Sequence, residues 1–317
     1  MKISCFFLLA IIFNVSCTFE NTSENESNKK FTFESKEINQ QFRDSIGNDH
    51  FVKLKDGYTY YEMDGPDSSE TIVLVHGYSV PSYIWDSTYV AAINKGYRVL
   101  RFDVFGRGFS DRPHVAYNID LSYRQLSGII DSLNLNTPVN LVGLSWGGRV
   151  TSYYTALNPS KVNKLVLVDP SGFEPVDKKD NSEVIVTNEE VVKALEERAP
   201  LMADSQLEDF YHPENFEYWP NLYKPQMAYK GFVHSLISTS ANKRDLTQYM
   251  VKLAKNGTPV KMIMGKEDVV VKPAETIPSA KQQLPAIDIT LIDNAGHLPH
   301  IEQTQAFNKV FFEFLDN

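Results

Sequence analysis

The stretch Gly143-Leu144-Ser145-Trp146-Gly147 places a serine between two glycines, directly after the apolar run Val139-Asn140-Leu141-Val142. Residues 148–157 then form a helical pattern that ends at Asn158-Pro159, where proline removes a backbone donor. A strand that turns sharply into a helix exposes a serine hydroxyl at its apex, and the glycines relieve the crowding of such a turn. The pentapeptide alone is equally compatible with a tight loop, but its context predicts a nucleophilic serine.

Short apolar runs alternate with helical patterns from residue 51 onward, which is typical of a parallel sheet covered by helices on both faces. An Asp56-Gly57 pair indicates a hairpin between the first two strands. The eight predicted strands are residues 51–55, 58–63, 71–75, 98–103, 139–142, 164–168, 260–264 and 287–292. Helices are predicted at residues 84–95, 120–133, 148–157 and 303–315. The predicted fold class is therefore α/β, with an eight-stranded, mostly parallel sheet and flanking helices.

The segment 173–257 interrupts this alternation, because it has no convincing strand. It contains charged helical stretches such as 188–198 and an aromatic-rich stretch at 210–220. Long connections without secondary structure are uncommon in compact domains. The segment 173–257 is therefore predicted to be an inserted helical cap between two parts of one core, residues 51–172 and 258–317.

Composition excludes several classes of function. The 317 residues are 42% hydrophobic, which supports a sizeable buried core, and their formal net charge is −9. The acidic balance, with no dense cluster of lysine and arginine, argues against binding to a phosphate backbone. No nucleic-acid partner is therefore predicted. Both cysteines, Cys5 and Cys17, precede the folded body, so the body has no thiol for a disulfide, a zinc site or a cysteine nucleophile.

The N-terminus predicts export. Lys2 precedes an apolar run at 5–13 that is too short to span a bilayer stably, so residues 1–16 are predicted to be a signal peptide. The stretch Asn14-Val15-Ser16-Cys17 resembles a bacterial lipoprotein cleavage site, after which Cys17 would be acylated; ordinary cleavage is the alternative. Residues 17–50 are then a lipidated or flexible tether. The predicted location is a bacterial membrane surface, or otherwise the periplasm or the medium.

Four motifs follow predicted strands in order. His76-Gly77-Tyr78-Ser79 follows the third strand, and an Asp-x-x-Gly-x-Gly-x-Ser run at 103–110 follows the fourth. The serine pentapeptide follows the fifth, and Gly265-Lys266-Glu267-Asp268 follows the seventh. Over residues 51–172 and 258–317 the chain thus resembles the α/β-hydrolase superfamily, and within it the serine esterases and lipases that carry a helical cap.

The resemblance implies roles for five residues. Ser145 would be the nucleophile, His297 in the loop after the eighth strand the general base, and Asp268 the carboxylate that orients it. The backbone N–H groups of Tyr78 and Trp146 would form the oxyanion hole. Such a site needs no cofactor and no metal.

Alternatives exist for the acid, and two other histidines near the site need an assignment. Asp169, after the sixth strand, competes with Asp268 because some relatives carry the acid there, and Glu267 is a near neighbour to exclude. His300 lies three residues from His297, but Pro299 between them argues against the helical spacing of a metal pair. His76 is assigned a structural role in its turn.

The predicted reaction is the cleavage of carboxylic esters through a Ser-His-Asp triad and an acyl-enzyme, with a small-molecule substrate. Phe216, Tyr218 and Trp219 in the cap predict contact with an apolar or aromatic acyl group, although rings of this kind often only pack a cap onto a core. One rival function is a carbon-carbon bond hydrolase of ring-cleavage products, which often has Asn where Leu144 stands. Another is a surface lipoprotein that binds a ligand without turnover.

Overall fold

The computed structural model describes residues 31–174, 176 and 182–317. The predicted signal peptide 1–16, Cys17 and the first part of the tether lie outside the described residues. The unit Phe33–Asn317 contains the whole sheet and all helices given below. Among the described residues, no helix is both long enough and apolar enough to cross a bilayer.

Eight strands form one sheet, as predicted. They are β1 Phe51–Lys53, β2 Tyr58–Asp64, β3 Thr71–Val75, β4 Arg98–Phe102, β5 Val139–Leu144, β6 Val162–Val168, β7 Val260–Gly265 and β8 Asp288–Ile292. Their order across the sheet is β1-β2-β4-β3-β5-β6-β7-β8. β2 pairs antiparallel with β1 and β4, and the remaining pairs are parallel. Every residue of β3, β5 and β7 is buried, because helices cover both faces of the sheet.

Within residues 31–174, 176 and 182–317, twelve α-helices accompany the sheet. They are α1 Gln40–Ile46, α2 Asp86–Asn94, α3 Ile119–Ser132, α4 Trp146–Leu157, α5 Asn188–Glu197, α6 Ala199–Met202, α7 Trp219–Tyr223, α8 Phe232–Ala241, α9 Thr247–Asn256, α10 Pro273–Gln283, α11 Pro299–Glu302 and α12 Thr304–Asp316. The four predicted core helices correspond to α2, α3, α4 and α12. α10, between β7 and β8, was missed because Pro278 interrupts its helical pattern.

The cap is shorter than predicted. α5 to α8 and several short 3-10 helices form it, whereas α9 belongs to the core. Met250 and Leu253 of α9 are buried in the same apolar cluster as β5 and β6, and the Tyr249 ring meets the Tyr153 ring of α4 with centroids 4.5 Å apart. α9 is therefore the crossover helix that a parallel β6-β7 pair requires, and the predicted cap boundary at 257 is one helix too late.

The prediction of a tether over residues 17–50 is wrong for residues 33–50. The N–H of Glu34 donates to the Met227 carbonyl oxygen at 3.0 Å, and Lys36 forms a parallel bridge with Tyr229. Asn39 caps α1, since its side chain accepts a hydrogen bond from the Phe42 N–H at 2.9 Å. We call residues 33–50 the N-terminal strap. Its backbone pairs with the cap, and a polar sequence gives no signal of such backbone pairing.

Arg43 joins the strap to the core. Its guanidinium lies 3.1 Å from the Asp111 carboxylate, and its carbon Cζ lies 4.2 Å from the centroid of the Tyr58 ring. The Arg43 side chain is only 10% exposed, so solvent screens this ion pair weakly.

Replacing Arg43 with alanine should lower the free energy of unfolding by about 2–3 kcal/mol, because it leaves a partly buried carboxylate without its partner. The matched control is Lys161→Ala, which removes an exposed ion pair with Asp131 and should cost less than about 1 kcal/mol. Chemical denaturation measures both. Equal midpoints for the two variants would mean that the Arg43–Asp111 pair adds no more to stability than an exposed ion pair.

Candidate active site

Ser145 occupies the sharp turn between β5 and α4. Its backbone has φ 51° and ψ −113°, a conformation that costs a non-glycine residue about 1–3 kcal/mol. Backbone hydrogen bonds hold the turn: the Ser145 N–H donates to the Val168 carbonyl at 3.0 Å, and the Ser145 carbonyl accepts from the Gly148 N–H at 2.9 Å. This turn places the Ser145 side chain beyond the end of the sheet, and Ser145 borders two cavities there.

The two flanking glycines are required by close backbone contacts. A Cβ atom built at Gly147 would clash with the carbonyl oxygens of Val75 and His76, and one built at Gly143 would clash with the Gly147 carbonyl. α4 can therefore begin against the end of β3 only if both positions lack a side chain. The pattern that indicated the nucleophile in the sequence is thus a packing requirement in the fold.

His297 and Asp268 form a buried hydrogen-bonded pair. His297 Nδ1 lies 2.8 Å from Asp268 Oδ2, and Asp268 Oδ1 accepts hydrogen bonds from the N–H groups of Val270 at 2.7 Å and Val271 at 2.9 Å. Burial opposes ionisation of Asp268, but His297 and these hydrogen bonds outweigh it and lower the pKa of Asp268. Burial also opposes the charged form of His297, yet the Asp268 carboxylate outweighs it and raises the pKa of His297.

The competing carboxylates have other partners. Glu267 accepts a hydrogen bond from the Ala295 N–H at 3.1 Å, and Asp169 accepts one from the Gly265 N–H at 2.9 Å. His297 Nδ1 therefore pairs with Asp268, in line with the preferred alternative from the sequence.

Ser145 and His297 line the same cavity of about 290 Å³. Among the described residues, however, no hydrogen bond joins Ser145 Oγ to the His297 ring. Catalytic hydrogen bonds of this kind are often long without substrate and tighten in the complex. The fold thus brings the three predicted triad residues to one end of the sheet, with the Asp268–His297 contact formed.

Two backbone N–H groups are free to bind an oxyanion. Trp146 is the first residue of α4, and neither its N–H nor that of Tyr78 donates a hydrogen bond to the described part of the chain. The Tyr78 carbonyl accepts from Arg107 Nε at 2.8 Å, and the Tyr78 hydroxyl donates to the Leu236 carbonyl at 2.6 Å. The buried Arg107 therefore positions the Tyr78 peptide.

The histidines near the site, apart from His297, are structural. The His76 ring accepts at Nε2 from the Val104 N–H at 2.8 Å and donates from Nδ1 to the Gly77 carbonyl at 3.0 Å. Burial lowers the pKa of His76 to about 3, so the ring is neutral. His300 Nε2 donates to the Ile84 carbonyl at 3.0 Å, and burial lowers its pKa to about 3 as well.

Asp169, Asp268 and His297 also offer ligand-type atoms that lie within 4.8 Å of one another. The Asp268–His297 hydrogen bond accounts for the closeness of two of these residues.

A second cavity of about 670 Å³ borders Ser145. Its apolar lining comes from the start of α4 and from the loops after β6 and β7; these residues are Trp146, Phe173, Val269, Val270 and Val271. Reasoning from the sequence missed all of these except Trp146. Their position directly after strands was the available signal, since ligands bind beyond the carboxyl ends of parallel strands.

The cap rings predicted to contact substrate do not line either cavity. Trp219 is buried in the apolar cluster between cap and core, and the Phe216 ring stacks on Phe210 with centroids 4.1 Å apart. Tyr218 is 55% exposed to solvent. The assignment of Phe216, Tyr218 and Trp219 to the substrate is therefore corrected, because their apolar surfaces are used for packing or face solvent.

Comparison with known proteins identifies the family. A model of the alpha/beta hydrolase family matches residues 72–310, which is more than half of the chain. The chain belongs to this family. The predicted resemblance and the predicted fold class are both confirmed.

Several relatives of this alpha/beta hydrolase are enzymes. It is 27% identical over 261 residues to Lipase 3 of Moraxella sp. (strain TA144), covering 78% of this chain and 77% of that protein. It is 27% identical over 297 residues to the 2-hydroxy-6-oxononadienedioate/2-hydroxy-6-oxononatrienedioate hydrolase of Cupriavidus pinatubonensis, covering 89% of this chain and all of that one. The crystal structure of the enol-lactonase from Burkholderia xenovorans LB400 superposes with a TM-score of 0.70 at 23% identity, over 84% of this chain and 100% of that chain. The family and these relatives support a hydrolase.

Replacing Gly147 with alanine should lower the free energy of unfolding by about 3 kcal/mol or more, since the new methyl group meets backbone oxygens that cannot move away. Gly128→Ala is the matched control: it also lies in a helix, α3, where the methyl group makes ordinary contact with Leu54 and should be neutral or stabilise by up to about 1 kcal/mol. Thermal melting of both variants measures the difference. A Gly147→Ala protein as stable as Gly128→Ala would contradict the packing argument.

Proposed function

We propose that this alpha/beta hydrolase is a serine esterase that forms an acyl-enzyme. Ser145 Oγ bonds to the acyl carbon while His297 takes its proton, and the tetrahedral oxyanion is held by the N–H groups of Tyr78 and Trp146. The ester bond then breaks, and the leaving alkoxide takes the proton from His297. Water next attacks the acyl carbon, gives one proton to His297, and releases the carboxylic acid as that proton returns to Ser145. The observation that carries this proposal is the Asp268–His297 pair at a cavity shared with Ser145.

The two cavities suggest which half of the ester lies where. His297 borders the cavity of about 290 Å³ but not the one of about 670 Å³. Since His297 must protonate the leaving oxygen, the alcohol half belongs in the smaller cavity and the acyl half in the larger one. The apolar lining of the larger cavity suits an apolar or aromatic acyl group.

The main enzymatic rival is hydrolysis of a carbon-carbon bond, as the name of the relative from Cupriavidus pinatubonensis indicates for that protein. A dioate has two carboxylates. The smaller cavity is lined by Glu208 and Asp209, and no lysine or arginine is among its described lining residues. A carboxylate on the leaving half would be repelled there, which favours a neutral leaving group, whereas Lys243 and Lys272 in the larger cavity would accept a carboxylate on the acyl half.

Two substrate series test both the chemistry and the orientation. In p-nitrophenyl esters of increasing acyl length, kcat/KM should rise over several carbons as apolar surface is buried, by up to about fivefold for each methylene. In acetate esters of increasingly long alcohols it should fall once the smaller cavity is full. Better tolerance of long alcohols than of long acyl groups would reverse the assignment of the two cavities.

The same assay tests the nucleophile. Ser145→Ala should lower kcat by about 10⁵–10⁶-fold. The matched control is Ser152→Ala, a buried serine of α4 that lines neither cavity and should keep its activity. A fluorophosphonate probe should label the wild type and Ser152→Ala but not Ser145→Ala. A folded wild-type protein that is neither labelled nor active would favour the non-catalytic lipoprotein.

We also propose that residues 1–16 direct export and that acylated Cys17 holds the enzyme at a membrane surface, as the sequence suggests. In a bacterial host that processes lipoproteins, radiolabelled palmitate should enter the wild type and Cys5→Ser but not Cys17→Ser. Equal labelling of all three proteins would end the proposal of a lipid anchor.

A further inference from the structure

A second carboxyl group lies beside the Asp268–His297 pair and has no role in the mechanism above. Asp169 directly follows β6 and is completely buried, with a left-handed backbone at φ 39°. Its N–H donates to the Ile263 carbonyl at 3.0 Å, which ties it to β7. An ionisable residue in such a conformation and with no access to solvent calls for a specific local reason.

The two oxygens of Asp169 have different surroundings. Oδ1 accepts the hydrogen bond from the Gly265 N–H at 2.9 Å. Oδ2 is buried and finds no donor among the described residues. A carboxylate oxygen without a donor in a dry interior is costly, whereas a protonated oxygen needs an acceptor instead. The neighbouring Asp268 carboxylate is such an acceptor, since both residues belong to the cluster of atoms within 4.8 Å.

Two carboxyl groups whose oxygens lie within 4.8 Å of each other in a buried site disfavour ionisation of both, so one of them holds a proton. Asp268 accepts two backbone hydrogen bonds and the bond from His297, all of which favour its charged form. Asp169 accepts only one. The proton therefore resides on Asp169.

The charged surroundings agree with this assignment. Burial, and then the charge of Asp268, raise the pKa of Asp169 well above its ordinary value. The titratable groups around the cluster are His297, Asp209 of the cap and Glu302 of α11. Of these groups in the described part of the chain only His297 is basic, and its ring is bonded to Asp268, so none of them directs a cation at Asp169 to favour its ionisation.

We propose that Asp169 is a positioning residue of the triad, which keeps its proton at neutral pH and donates it from Oδ2 to the Asp268 carboxylate. This proposal rests on the esterase mechanism proposed above. The donated hydrogen bond holds Asp268 in the orientation that His297 needs. It also keeps the net charge of the three groups at zero when His297 is an imidazolium, because only Asp268 is negative.

The pH dependence of kcat/KM separates this role from others. The acid limb of the profile reports protonation of His297 in the free enzyme. Asp169→Asn keeps both hydrogen bonds, since its amide oxygen can accept from Gly265 and its NH₂ group can donate to Asp268. It should retain at least about a third of the activity, with its acid limb unmoved. Asp169→Ala loses the hydrogen-bond donor to Asp268, so the Asp268 carboxylate becomes more basic. The acid limb should then move to higher pH, and activity should fall by about tenfold or more.

Other roles of Asp169 predict different shifts of the acid limb of the pH profile. If Asp169 were ionised, both substitutions would remove a negative charge and move the acid limb to lower pH. If Asp169 only filled space, the limb would stay in place in Asp169→Ala. Either result overturns the proposal. Asp268→Asn serves as the reference for a lost triad acid, with a fall in kcat of about 10⁴-fold.

Infrared spectroscopy tests the proton without turnover. The spectrum of the wild type at pH 7 minus that of Asp169→Asn should contain the C=O stretch of a protonated carboxyl group. Loss of a carboxylate band in its place would refute the assignment. This measurement holds even if Asp169→Ala does not fold or the protein hydrolyses no ester, so failure of the proposed function and failure of this inference are distinguishable.

Discussion

The start of α4 against the end of β3 is the contact on which the site depends. Because Gly147 has no side chain, the first turn of the helix lies against the carbonyl oxygens of Val75 and His76. This approach places the Trp146 N–H at a helix N-terminus beside the loop that carries Tyr78, and helix N-termini stabilise negative charge. The same contact forces Ser145 into its strained turn. The turn at Ser145 and the position of the Trp146 N–H are thus consequences of one packing constraint.

Ser145, Asp268 and His297 lie in the loops after β5, β7 and β8, and the cap contacts the loop of His297. The His297 N–H donates to the Asp209 carbonyl at 2.7 Å, and Glu302 accepts from the Gly296 N–H at 2.7 Å and from the Tyr211 N–H at 2.8 Å. The histidine loop is therefore fixed by backbone atoms of the cap. Substitutions in the cap near residues 209–211 would act on catalysis through this loop as well as through the cavity wall.

The charge of each carboxyl group in the site is set by its hydrogen-bond donors and not by ion pairs at the surface. Asp268 is ionised because three donors surround it, while Asp169, a short distance away, has one. His297 stays within reach of protonation because its ring touches Asp268. Two identical side chains thus have opposite protonation states, set by the donors that each one faces. The N-terminal strap is a separate device, which ties the cap to the core through Arg43 far from this chemistry.

The sequence by itself determined the sheet, the sharp turn at Ser145 and the order of Ser145, Asp268 and His297 along the strand ends. These features leave local signals: apolar runs with short spacing, and glycines wherever a Cβ would meet backbone. Pairings between distant segments leave none. The strap was predicted to be a solvated linker because its hydrogen bonds are made by backbone and by polar side chains. The cap rings were predicted to contact substrate because an aromatic-rich stretch has the same sequence whether its rings pack against the core or against a ligand. Only the tertiary structure decided that His297 pairs with Asp268, that Asp169 stands behind them, and that Arg107 holds the Tyr78 peptide. Burial and the identity of a neighbour across the sheet are properties of the folded chain, and they set which carboxyl group keeps its proton.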